Sequence, residues 1–189
     1  MPTTMTPAAR RVLDAASRLF YAQGIHAVGV DTIAAEAGVT KKTLYDRFGS
    51  KDALVVAYLR ERDDRWRELL ADHRQRAGTD RERLLSLFTA AERWSRKAGG
   101  RGCAAINARA EIDDPEHPIA IEVAREKAWL LEQLVADCRS AGADRPKELA
   151  AELALLYDGA LAASGLHSVR NPFGSARRAA EALCTAHGI

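Results

Sequence analysis

Apolar positions along this chain recur with a helical rather than a strand period. Val12, Leu13, Ala16, Leu19 and Phe20 fall at i, i+1, i+4, i+7 and i+8, one face of a helix that Gly24 is suited to end. Asp31 is placed to cap a second helix with Ile33, Ala34 and Ala37 inside, closed by Gly38. Thr40 caps a third running through Phe48, and Ser50 a fourth with Ala53, Leu54, Ala57 and Tyr58 inward, extending to Arg74.

Gly78 and Thr79 punctuate the chain next. Leu84, Leu85, Phe88, Ala91 and Trp94 or Ser95 then form a fifth apolar face, before the break at Gly99-Gly100-Arg101-Gly102. A sixth helix is expected from Cys103 to Ile112. The segment DDPEHP opens a long seventh, with Asp114 as N-cap, Pro115 at the first helical position and Pro118 still in the first turn, ending near Gly142. Leu149, Leu153, Leu156, Tyr157, Ala160 and Leu161 mark an eighth, Asn171-Pro172 breaks it, and a ninth runs from Phe173 to His187. There is no strand-like alternation, internal repeat or low-complexity tract. The prediction is an all-α fold of about nine helices.

The second and third helices are too short to stand alone and must pack on each other and on their neighbours. Only Gly38-Val39-Thr40 separates them, the spacing of a helix-turn-helix, with Ala34 small at the crossing and Leu44 closing the wedge. In such a unit the second helix enters a DNA major groove N-terminal end first. Thr40, Lys41, Lys42 and Thr43 occupy that end, where free N–H groups and the helix dipole attract phosphate. Tyr45 adds a hydroxyl on a rigid ring, Phe48 reads as core, and Ser50-Lys51 brings another helix start and a cation close by.

Bulk composition changes this picture little. The chain has 189 residues, 47% of them hydrophobic, enough for a sizeable core. The net charge of +2 does not by itself point to nucleic acid. Residues 1–60 carry eight Lys/Arg against five Asp/Glu, a small basic bias absent from the rest. Cys103, Cys138 and Cys184 are widely spaced and odd in number, which fits reduced thiols. The N-terminal MPTTMTPAARR has no apolar leader, and no run approaches the ~20 apolar residues of a membrane span. The expectation is a soluble cytoplasmic protein with no membrane partner.

The stretch RVLDAASRLFYAQGIHAVGVDTIAAEAGVTKKTLYDRFGSKDALVVAYL resembles the DNA-binding head of the tetracycline-repressor (TetR) family. The resemblance covers residues 7–66 and rests on LF.AQG, IA..AGV and TLY..F.SK..L together. It implies a homodimeric, ligand-responsive transcriptional regulator, usually a repressor, that binds double-stranded operator DNA and needs no cofactor. Positions matching DNA contacts are Thr32, Thr40, Lys41, Lys42, Thr43, Tyr45 and Lys51. Lys42 departs from the small residue common there. It either adds a base or phosphate contact or points to solvent.

The resemblance also implies a helical body over residues 67–189 that binds a small effector and pairs through its last two helices. Trp66, Phe88, Trp94, Trp129 and Tyr157 are core or pocket lining, and Asn107, beside Ile106 among apolar neighbours, is a candidate anchor. Leu153, Leu156, Ala160, Leu161, Ala176, Ala179, Ala180 and Leu183 form apolar faces of the eighth and ninth helices, either internal core or a four-helix dimer interface. Small residues such as Ala160, Gly165 and Ala179 permit close helix approach. Two paired heads read twice the bases of one.

One segment suggests different chemistry. Glu111, Asp113, Asp114, Glu116 and His117 cluster carboxylates beside an imidazole, as a metal site or an acid–base enzyme would. Helix capping accounts for the same order of residues, and neither a nucleophile nor a phosphate loop accompanies it. No metal, cofactor or catalytic residue is therefore expected.

Overall fold

The computed structural model describes residues 5–189. The first four residues, part of the N-terminal stretch read above as lacking a leader, lie outside the described residues. Among those described there are nine helices and no strand: α1 (Pro7–Gln23), α2 (Val30–Ala37), α3 (Lys41–Phe48), α4 (Lys51–Gln75), α5 (Asp80–Ala98), α6 (Ala104–Ala110), α7 (Pro118–Ser140), α8 (Pro146–Leu166) and α9 (Pro172–Ala186).

The chain forms two compact units. The first extends to Arg62 and also takes Ala104–Ala124; the second takes Asp63–Cys103 and Arg125–Ile189. α4 and α7 thus each contribute residues to both.

In the first unit, Val12, Leu13, Ala16 and Phe20 of α1 are buried with Ile33, Ala34 and Ala37 of α2, Leu44 of α3, and Leu54, Val55 and Tyr58 of α4. Phe20 and Tyr58 meet ring to ring at 5.8 Å. The local chemistry follows the sequence closely. Thr6 caps α1 by accepting from Ala9 N, and Pro7 starts it. Two expectations shift: Gly29 rather than Asp31 is the N-cap of α2, which leaves Asp31 in the first turn, and Ala53 is exposed while Val55 turns inward.

The opening of α7 also differs. The sequence places Asp114 at its cap, but the helix begins at Pro118. Asp114 Oδ1 instead accepts from Glu116 N at 2.9 Å, a tight local turn that competes with helix. Pro118 also disfavours helical geometry at His117, so the proline itself becomes the first helical residue.

In the second unit, α5, α8 and α9 pack together. Their core joins Leu84 and Phe88 of α5, Leu134 and Cys138 of α7, Leu149 and Leu153 of α8, and Ala180 and Cys184 of α9. Thr79 and Glu82 form a reciprocal capping box at the start of α5, and Asn171 with Pro172 starts α9. By length and composition α8 could cross a membrane. It carries Lys147, Glu148, Glu152 and Asp158, however, and it buries Leu149, Leu153, Tyr157 and Leu161 inside the unit.

Candidate nucleic-acid interface

The turn between α2 and α3 is built from one glycine. Gly38 sits at φ 62°, ψ 42°, the left-handed region. Its N–H donates to Ala35 O at 3.1 Å and Val39 N–H donates to Ala34 O at 3.0 Å, the pair of hydrogen bonds that seals a helix end. Two residues later Thr40 opens α3, its side chain accepting from Thr43 N at 3.1 Å. The two hydroxyls also bond to each other at 2.9 Å. Gly38 and Thr40 therefore set where α2 ends and where α3 begins.

Leu44 is the one buried residue of α3, and it anchors the helix on the first unit's core. The rest of α3 turns outward. Lys41, Lys42, Tyr45, Asp46 and Arg47 are exposed, Thr43 and Phe48 half-buried. Lys41 Nζ pairs with Asp31 Oδ2 of α2 at 3.1 Å, and Lys42 Nζ with Asp46 Oδ2 at 2.8 Å. Thr32 is exposed on α2. Lys51, half-buried, is the first residue of α4, where Ser50 Oγ accepts from Ala53 N at 3.0 Å. All seven positions expected to meet DNA thus belong to one unit, and the recognition helix is anchored by one leucine.

Residues 12–58 match the family described as "Bacterial regulatory proteins, tetR family". The crystal structure of SCO4454, a TetR-family transcriptional regulator from Streptomyces coelicolor, shares 33% identity, with 97% of each chain covered and a TM-score of 0.91. This chain belongs to the TetR family. Two curated regulators are also similar. The HTH-type transcriptional activator FasR of Mycolicibacterium smegmatis is 39% identical over 82 residues, 43% of this chain but only 36% of FasR's own length. The HTH-type transcriptional regulator BetI of Rhizobium meliloti is 29% identical over 153 residues, 79% of this chain and 75% of that one. As a TetR-family member this chain is a transcriptional regulator with a DNA-binding helix-turn-helix.

The residues considered for an effector site distribute unevenly. In the second unit, Trp66 stacks on Tyr157 at 5.6 Å and tilts against Trp94 at 6.1 Å, while Arg67 lies 3.9 Å from the Trp129 ring centre. Phe88 is fully in the core. Ile106 and Asn107 belong to the first unit, half-buried and exposed. Lys127 bonds Asp158 at 2.6 Å and lies 5.6 Å from the Tyr157 ring. Burial works against its charge, but Cys103 and Asp158 outweigh this and raise its pKa. The Tyr157 hydroxyl is pushed well above its usual range, first by burial and then by Cys103 and the nearby carboxylates. A cavity of about 10 Å³ between Leu70, Leu87, Leu130, Arg74 and Asp137 is water-sized.

Of the faces considered for pairing, Leu153, Ala160, Leu161, Ala176 and Ala180 are buried in the subunit's own core, Leu156 and Leu183 are half-buried, and Ala179 is exposed. A stripe that the sequence reading passed over is exposed on α8: Ala151, Leu155, Gly159, Ala162 and Leu166. These residues recur at helical spacing, a signal present in the sequence but hidden by the equally apolar buried face beside it.

Three members of the acidic segment have structural partners. Glu111 accepts from Ile25 N and His26 N, Asp114 from Glu116 N, and His117 Nδ1 from Ile119 N. No group of three His, Cys, Asp or Glu residues suited to a metal occurs among the described residues.

Proposed function

We propose that this chain is a cytoplasmic, homodimeric repressor that binds a palindromic operator and is released by a small effector. The observation that carries the reading is the sealed Gly38 turn followed by a capped helix whose cationic start faces outward. Residues 7–66 form the DNA-binding part in this reading, and residues 67–189 bind the effector and pair. Two copies of α3, about one helical turn (~34–36 Å) apart, would enter successive major grooves. Thr32, Thr40, Lys41, Lys42, Thr43, Tyr45 and Lys51 would meet the DNA, α3 reading the groove while the adjacent helix starts hold phosphates. The exposed α8 stripe with Leu156, Ala179 and Leu183 is suited to pack against a second copy.

An effector must favour the form that fits DNA badly, or it shifts nothing. The aromatic group Trp66, Trp94, Trp129 and Tyr157 is suited to an apolar molecule, which would have to part rings now packed on one another. α4 is the covalent path between the parts, and coupling of about 1–3 kcal/mol is typical of such linkage.

A mobility shift with the DNA upstream of the chain's own gene tests this. The expected result is tight binding that falls steeply with salt and weakens when Lys41 and Tyr45 are both changed to alanine. Binding that is flat in salt would overturn the reading. Reporter expression from that DNA separates repression from the activation named for FasR.

A further inference from the structure

α3 turns 100° per residue, so the positions most nearly opposite its buried anchor Leu44 are 42 and 46. Lys42 and Asp46 occupy them, with side chains 83% and 56% exposed, joined at 2.8 Å. These two residues therefore form the outermost ridge of the helix that enters the groove.

Their order is poor for helix stability. A cation near a helix N-terminus and an anion nearer the C-terminus both oppose the macrodipole, and a lysine four residues ahead of an acid is the weaker arrangement. The first turn of α3 has no acid at all. A carboxylate on this ridge is also repelled by DNA phosphates. Asp46 thus works against both the helix and general DNA affinity, and a contact made only with particular bases would offset both.

The major groove offers two amino donors, cytosine N4 and adenine N6; the N7 acceptor beside the adenine amino group repels a carboxylate, so cytosine N4 is the partner suited to it, while a lysine donates to guanine O6 or N7. In a G·C pair the amino group and O6 lie side by side, matching an ion pair that presents one acceptor and one donor together. We propose that Asp46 specifies a cytosine in each operator half-site, with Lys42 on a guanine edge. The inference rests on the DNA-binding reading above. It adds a specificity residue that the family resemblance does not assign.

Selection from DNA with randomised half-sites, read by sequencing the bound fraction, tests it on the full chain. The wild type is expected to require cytosine at one position per half-site by roughly 5- to 150-fold. Asp46→Ala should flatten that position alone and raise affinity for random DNA. Asp46→Asn should move the preference there toward adenine, which asparagine reads through N6 and N7. Thermal melts of both variants should be no lower than the wild type, since Asp46 is exposed and its charge opposes the helix dipole. An Asp46→Ala profile unchanged at every position overturns the inference while leaving DNA binding intact. If the wild type selects no sequence at all, the DNA-binding reading fails and the inference with it.

Discussion

Glu111 Oε2 lies 2.7 Å from the backbone nitrogen of His26, a residue 85 positions earlier in the chain. Its other oxygen accepts from Ile25 N at 2.8 Å, so one carboxylate satisfies two consecutive donors at the end of the α1 segment. A Cβ on Gly24 would stand 3.0 Å from Glu111 Oε1, tighter than an ordinary contact, and the φ of 93° there already favours glycine. Hydrogen bonds to a charged group contribute more than neutral ones. Glu111→Ala is expected to cost about 2 kcal/mol, lowering the melting temperature by roughly 4–8 °C. Glu111→Gln, which keeps one acceptor, should recover part of the loss. A melt unchanged in the alanine variant would show that water replaces the carboxylate without penalty.

Gly165 of α8 and Gly102 approach each other closely within the second unit. A Cβ built on Gly165 would stand 2.8 Å from Gly102 N and 2.9 Å from the carbonyl carbon of Arg101. Both obstacles are backbone and cannot swing aside. Alanine gains about 1 kcal/mol of helix propensity, while overpacking costs about 1–3 kcal/mol. The clash is expected to win, so Gly165→Ala should melt earlier than the wild type. A higher melting temperature would mean that the 99–102 loop yields freely.

The three thiols should separate by burial. Burial pushes Cys138 up to about 12, with Cys184 and Asp137 adding to it, and burial likewise raises Cys184. Cys103 is half-buried, 3.6 Å from Lys127 Nζ. A thiol reagent at neutral pH should label Cys103 in the native protein, and all three cysteines only in denaturant. The raised values also carry a sign for stability. Below the ordinary value of 9.0 both states hold the Cys138 proton; above it the unfolded chain releases the proton first. Stability should therefore fall from pH 9 toward 12, and Cys138→Val should make that decline shallower. An identical alkaline limb in the variant would count against a buried neutral thiol.

The helix-turn-helix was legible because each of its parts has a distinct chemical signature. Gly38 at a positive φ, Thr40 as a cap and Leu44 as the anchor are all residues that few others replace. The start of α7 was not legible, because Asp114 can cap a helix or close its own turn, and only the following Pro118 decides between them. Asp46 was overlooked for a related reason. An acid on an exposed helix reads as a solvated charge until the position of the buried Leu44 shows that it sits on the leading ridge. In α8, apolar residues surround so much of the helix that the sequence does not separate the buried Leu153 from the exposed Leu155.

That last distinction gives the test of pairing. Leu155 and Leu166 are 74% and 76% exposed, with Gly159 and Ala162 between them on one stripe. Isolated surface leucines are common, but two large ones in register with small residues make a surface suited to close helix approach. Changing both to glutamate places two like charges on each copy of the stripe, facing the same charges on its partner. The double variant should run as a monomer by light scattering while keeping its helical spectrum, since neither residue supports the subunit's own core. Operator affinity should then drop by roughly 10²–10⁴-fold, because each head binds without the effective concentration the other supplies. Leu153→Ala should behave in the opposite way. It leaves a cavity costing about 2–5 kcal/mol, lowers the melting temperature, and does not change the oligomeric state while the protein stays folded. A double glutamate variant that remains dimeric would move the interface off this stripe and onto another face.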